Sequence, residues 1–196
     1  MADGPDEFPD VAMSARPALF ILVLLALIYS IVFSFVGQFS NASSVDLIAS
    51  VVLSVGLLAL SYIDLRTGLL LDVLTLPLMA LGLGYSAWTG VWMSSLAGAI
   101  LGYGMIAGLA YYWRKRRGYE GIGLGDAKLL AAGGAWVGVT GIPILLLIAS
   151  SVGLVAAITV SRTTQSASDR MAIPFGPSLA LATWMVWCGI ENLLPI

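Results

Sequence analysis

Long apolar runs alternate with short polar breaks along the chain, and the run lengths match a bilayer. About 20 apolar residues at about 1.5 Å per residue cross a hydrocarbon core of roughly 30 Å. The first such run, Pro17 to Gly37, predicts a spanning helix. It follows Met1 to Arg16, where Asp3, Asp6, Glu7 and Asp10 sit beside Pro5 and Pro9, a composition expected of a disordered tail. A cleaved signal peptide has a basic leader and a shorter apolar core, so this run reads as a retained span. Polar residues Gln38 to Ser44 turn the chain, and Asp46 is the expected N-cap of a second span, Leu47 to Ile63, with Asp64 at its far end. A third span runs from about Asp72 to Ala87, and Thr89-Gly90 turns into a fourth, Val91 to Trp113. A polar loop holds Arg114 to Arg117 and Glu120 to Gly125. A fifth span covers Asp126 to about Thr140, a sixth Ile142 to Val160, and a seventh about Phe175 to Leu194.

The expected fold class is therefore an all-α integral membrane bundle of about seven transmembrane helices. Gly98, Gly102, Gly104 and Gly108 on the fourth span form two small-xxx-small pairs, which predicts close helix packing there. Seven spans put the two termini on opposite sides. Arg16, Arg66, Arg114, Lys115, Arg116, Arg117, Lys128, Arg162 and Arg170, every Lys and Arg in the chain, then fall on the N-terminal side. By the positive-inside rule the N-terminus is cytoplasmic and the C-terminus extracytoplasmic, in a multi-pass protein of the inner, cytoplasmic membrane. The expected division is 1–16 as acidic tail, 17–37 as an extra N-terminal helix and 46–194 as a six-helix core.

Composition narrows the chemistry. Of 196 residues 59% are hydrophobic and 10% charged, with a net charge of −2, so there is no broadly basic surface for nucleic acid. The Arg114 to Arg117 cluster is accounted for by topology and by anionic headgroups, which makes the lipid bilayer the expected partner. Cys188 is the single cysteine, which excludes an internal disulfide and a Cys-only metal site. There is no histidine, so Ser-His-Asp and Cys-His catalysis and imidazole-bound zinc are excluded as well. Carboxylates, hydroxyls and lysine remain, and no cofactor or metal is called for.

Asp64 ends the second span and Asp126 begins the fifth, which places both near the cytoplasmic face. An ionisable residue in a membrane helix is a functional candidate by default. The 15 residues from Asp126 to Thr140 span roughly 22 Å, short of a crossing, so Gly123-Leu124-Gly125 is expected to dip below the membrane surface. Two carboxylates facing one water make the arrangement of an aspartic peptidase: they share a proton, the ionised member deprotonates the water, and the other polarises the scissile carbonyl. Helix dipoles favour Asp126, at a helix N-terminus, as the anion and Asp64, at a C-terminus, as the acid; Arg66 nearby acts in the opposite sense. Plainer readings stand beside these. Asp72 is expected to cap the first turn of the third span, Lys128 to anchor the chain at the cytoplasmic face, and Asp64 has Arg66 as an alternative partner.

These residues resemble the type IV prepilin peptidases and the archaeal preflagellin peptidases, membrane aspartic proteases of the GxGD kind. Three blocks carry the likeness across roughly Asp46 to Leu194: Asp64-Leu65-Arg66-Thr67 through Asp72-Val73-Leu74-Thr75-Leu76-Pro77-Leu78; Gly123-Leu124-Gly125-Asp126-Ala127-Lys128-Leu129-Leu130-Ala131-Ala132; and Ile173-Pro174-Phe175-Gly176-Pro177. The resemblance implies that Asp64 and Asp126 are the catalytic pair, with Gly123, Gly125, Lys128, Arg66 and Asp72 as motif or supporting residues. It implies removal of short basic leaders from prepilin-like or pseudopilin-like precursors at the cytoplasmic membrane face, typically after a glycine. Many bacterial members also N-methylate the product and carry a cytoplasmic segment with paired CxxC motifs. That segment is missing from these 196 residues, so the likeness is to the short, peptidase-only form.

Two other classes compete. A protease of the signal-peptide-peptidase or presenilin kind would put its first aspartate in a Tyr-Asp pair and a Pro-Ala-Leu stretch in the last span. Here Ile63 separates Tyr62 from Asp64, and Pro177-Ser178-Leu179 is only similar. A proton-coupled carrier or an assembly scaffold would use the carboxylates as relays, but a carrier usually shows internal repeats. The chain has none that can be recognised.

Overall fold

The computed structural model describes residues 25–30, 43–117, 123–163 and 174–189. The expected acidic tail, most of the first span, the 118–122 loop, Arg170 and the end of the seventh span lie outside the described residues. All the regular structure among the described residues is helical, with no strand. The helices are α1 (Ser44–Thr67), α2 (Asp72–Thr89), α3 (Trp92–Arg117), α4 (Leu124–Thr163) and α5 (Gly176–Trp187), together with a helical segment at 25–30.

Local sequence sets the ends. At the start of α1, Ser43 is the N-cap rather than Asp46. The Ser43 hydroxyl accepts from the Asp46 N–H, and the Asp46 carboxylate accepts from the Ser43 N–H, a reciprocal capping box. The cap therefore lies three residues before the expected one at Asp46: Ser43 is an equally good cap and leaves the acid at the third helical position. The far end closes on Gly68, which adopts φ 64° and donates its N–H to the Asp64 carbonyl at 2.8 Å. That turn makes Asp64 the last-turn residue of α1 and lets residues 68–71 lead directly into α2. Asp72 does not cap α2. The N-cap is Leu71, without a side-chain cap bond, and the Asp72 carboxylate is engaged elsewhere.

The expected fifth and sixth spans form one assigned run, α4, broken at Gly138, where φ 74° and ψ 178° are non-helical. A Cβ built on Gly133 would lie 3.2 Å from the Leu145 side chain. Twelve residues of straight helix rise about 18 Å, so the two arms of α4 fold back on one another at Gly138. The break falls three residues before the expected boundary at Gly141. Pro143 then sits near the start of the second arm, where a missing N–H is tolerated. Ser94 of α3 supports the break, its hydroxyl accepting from the freed Val139 N–H at 3.3 Å.

The core lies along the bundle axis and joins Leu53, Leu57 and Leu60 of α1, Leu78 of α2, Leu129, Leu130 and Leu145 of α4, and Leu179 of α5. Val73, Trp88, Ile100, Leu147 and Val155 are exposed. An apolar interior combined with an apolar exterior suits lipid, and α1, α3 up to Arg116 and α4 up to Thr159 are each long and apolar enough to cross a membrane. This is a multi-pass membrane protein. The expected glycine packing is half realised: Gly98 and Gly102 lie against the α4 backbone, whereas Gly104 and Gly108 face open space.

Candidate functional site

One end of the bundle gathers the last turns of α1 and α3 and the first turns of α2, α4 and α5. Because α5 runs antiparallel to α1, its first residue, Gly176, reaches Asp64, while Trp187 near its other end donates to the Ser50 hydroxyl at 3.0 Å. The same reversal puts the first turn of α4, with Asp126, at the level of the last turn of α1. Asp64 is 6% exposed, and Asp126 is half-buried. Gly125, beside Asp126, lies against Leu70, six residues beyond Asp64, which puts both acids at this end of the bundle.

Three glycine-dependent approaches shape this end. Gly123 leaves space over the Asp126 carboxylate, whose Oδ2 lies 3.9 Å from where a Cβ would stand. Gly125 lies against Leu70 of the α1–α2 linker, with a built Cβ 3.1 Å from the Leu70 Cβ. Gly176 abuts Asp64 and donates its N–H to Oδ2 at 3.0 Å in a buried hydrogen bond. The Gly123-Leu124-Gly125 stretch is mostly helical rather than an irregular re-entrant loop, since α4 already begins at Leu124.

The other expected site residues separate into two places. Lys128 and Asp72 meet: Nζ is 2.7 Å from both carboxylate oxygens, tying the first turn of α2 to that of α4. Lys128 is thus an ion-pair partner, and Asp72 belongs to that pair and not to the α2 cap. Arg66 is half-buried two residues beyond Asp64, whose carboxylate is held by Gly176. Gly176 belongs to the third motif block, but the sequence alone assigns it no role at the site. Its signal was present in the Pro174-Phe175-Gly176-Pro177 stretch, but only the fold reveals that a glycine there touches an acid 112 residues earlier.

Helix dipoles do not separate the two acids as expected. Asp126 lies at the N-terminus of its own helix, and Asp64, although at the C-terminus of α1, also lies at the N-terminus of α5. One acid is thus buried and the other half-buried, both at this end of the bundle.

The Lys128–Asp72 pair is a strut with solvent-facing partners, at 34% and 51% side-chain exposure. Lys128→Ala or Asp72→Ala should therefore each cost no more than about 1 kcal/mol, with the coupling within the same range. Thermal unfolding of both single variants and the double variant in detergent measures this. A coupling several times larger would make the strut a principal support of the site.

Fold and site together define a polytopic helical membrane protein with two aspartates, from separate helices, brought together at one end of the bundle. Comparison with known proteins gives the family. The profile of the type IV leader peptidase family matches residues 51–158, and the chain belongs to that family. It is 43% identical over 141 residues to a prepilin leader peptidase/N-methyltransferase of Xanthomonas campestris pv. campestris, covering 70% of this chain and 48% of that protein. To the protein of the same description from Neisseria gonorrhoeae it is 34% identical over 172 residues, covering 87% of this chain and 58% of the relative. For the Pseudomonas aeruginosa protein of that description the figures are 41% over 140 residues, 70% and 48%. The chain spans about half the length of the curated relatives it matches. No solved structure matches it.

Proposed function

We propose that this chain is an aspartic endopeptidase of the inner membrane that cleaves the leader from prepilin-like or pseudopilin-like precursors at the cytoplasmic face, with Asp64 and Asp126 as its catalytic pair. The observation that carries this is the placement of two carboxylates, 62 residues apart in sequence, at one end of an apolar bundle, Asp64 held by Gly176 and Asp126 in the first turn of α4. Family membership supports the peptide-bond chemistry, and the relatives' description supports prepilin leaders as the substrate class.

The reaction uses groups the chain supplies. One aspartate takes a proton from a water lying between the pair, and that water attacks the scissile carbonyl. The other donates its proton to the carbonyl oxygen as the tetrahedral intermediate forms. The first then passes the proton it took to the leaving nitrogen as the C–N bond breaks, and the intermediate's hydroxyl returns a proton to the second, restoring the pair. The observed pH constants belong to the pair and not to either acid alone.

Seven crossings with a cytoplasmic N-terminus agree with the distribution of Lys and Arg and with the fold-back of α4, which adds a crossing that the length of one continuous helix conceals. The proposal covers the peptidase step.

The test is direct cleavage. Purified protein in proteoliposomes is given a precursor consisting of a short basic leader, a glycine and an apolar helix, and products are read by gel shift and mass spectrometry. A single cut at the leader boundary is expected. An uncut precursor with correctly inserted protein, or proton flux without cleavage, would reject the assignment, the latter in favour of a carrier.

A further inference from the structure

The first turn of α5 has an unusual balance of donors. Its N-cap, Phe175, has no side chain that can accept a hydrogen bond, and none is made. Pro177, the second helical residue, has no N–H. The Ser178 and Leu179 N–H groups both go to the Phe175 carbonyl, each at 3.1 Å. The Gly176 N–H is left, and it is satisfied from another helix, by the Asp64 carboxylate. Asp64 thus caps α5 in trans, and α5 in turn fixes one oxygen of Asp64.

The approach is also sterically closed. A Cβ on Gly176 would lie 2.5 Å from Asp64 Oδ2 and 2.9 Å from its Cγ, distances that no side chain can occupy without moving the carboxylate. Behind the glycine, the Phe175 ring packs on the second arm of α4, with a Cβ built on Gly153 lying 2.8 Å from it. The glycine's position is therefore fixed by packing on one side and by the acid on the other.

We propose that Gly176 is the positioning residue of the catalytic pair: its N–H and its missing side chain together hold the Asp64 carboxylate in the orientation that leaves the opposite oxygen free for water and Asp126. The inference rests on the assignment of Asp64 and Asp126 as that pair. Arg66, Asp72, Asp126 and Lys128 lie at this end together with Arg114, Lys115 and Arg116 of the α3 C-terminus, and Oδ2 of Asp64 accepts from the Gly176 N–H.

The test compares Gly176→Ala with Gly153→Ala in the reconstituted full-length protein. Gly176→Ala is expected to lower kcat about 10²-fold, the scale on which a displacement near 1 Å affects a catalytic group. KM should stay within about twofold, and the pH profile of kcat should move, because the pair itself has been disturbed. Gly153→Ala crowds the same segment from behind without touching Asp64, and should leave the pH profile unmoved. Near wild-type turnover in Gly176→Ala, or equal losses in the two variants with an unmoved profile, would overturn the proposal. Where Gly176→Ala does not fold, glycine-labelled NMR of the otherwise unaltered protein decides: the Gly176 amide proton should lie downfield and shift when Asp64 becomes Ala. An unchanged resonance rejects the bond. Asp64→Asn and Asp126→Asn are assayed in parallel. If either one retains activity, the catalytic assignment fails; if both are inactive and Gly176→Ala is unaffected, only the positioning role fails.

Discussion

Asp64→Asn and Asp126→Asn are each expected to reduce leader cleavage by about four orders of magnitude, the scale seen when one member of a catalytic unit is removed. Asparagine keeps the shape of the side chain but can neither take a proton from water nor give one to a carbonyl oxygen. The structure allows a clean comparison at Asp64, because the amide oxygen of asparagine can still accept from the Gly176 N–H and so preserve the cap on α5. At Asp126, half-buried at the start of α4, the loss of a negative charge from a helix N-terminus costs no more than about 1 kcal/mol in stability. Both variants should therefore insert and fold while losing the chemistry. The double variant should be no worse than either single one, since the two acids act together on one water. Rates from proteoliposomes, with thermal unfolding as the folding control, measure this; a folded single variant cutting near the wild-type rate would remove the pair from the mechanism.

That Asp64 and Asp126 lie at one end of the bundle was legible in the sequence, because it depends only on the order and direction of the helices that carry them. The all-helical class followed from run length in the same way. Local ends were less legible. Ser43 and Asp46 are both good caps, and only the backbone shows that they cap reciprocally. Asp72 has the residue type of a cap, yet Lys128, 56 residues later, binds its carboxylate instead, a choice made by the tertiary fold. Gly176 was quoted as part of a motif, but its contact with Asp64 arises from the antiparallel packing of α5 on α1, which no local pattern encodes. The tryptophans also differ in surroundings that residue type alone does not decide. Trp88 is 79% exposed, as an interfacial anchor would be, whereas Trp184 is buried and stacked on Tyr29, and Trp187 packs edge-on against Tyr85 and Trp136 inside the bundle. The position of the turn between the fifth and sixth spans was nearly right, because Gly138 and Gly141 are both plausible breaks. The choice of Gly138 reflects Ser94, which supplies the acceptor that a freed N–H requires in lipid.

The second large effect is expected at the crossing of α3 and α4. A Cβ on Gly98 would lie 2.5 Å from the Gly134 carbonyl oxygen and 2.7 Å from the Gly138 carbonyl carbon. Both are backbone atoms, so no rotamer change relieves the clash, and the helices must move apart. Moving them also disturbs the fold-back, since Ser94, four residues before Gly98, accepts from Val139 beside the break. Gly98→Leu is therefore expected to destabilise the bundle by about 3 kcal/mol or more, at or beyond the upper end of overpacking costs in well-packed interiors. Gly104→Leu and Gly108→Leu are the internal controls. They lie on the same helix, and a Cβ at either would meet nothing within 4 Å. A leucine there faces lipid and should change stability by no more than about 0.5 kcal/mol. Thermal unfolding in detergent, with limited proteolysis of the α3–α4 region, distinguishes the three. If Gly98→Leu unfolds at the same temperature as the two controls, α3 and α4 do not cross where the glycines allow it, and the packing that sets Asp126 at the level of Asp64 must be drawn differently.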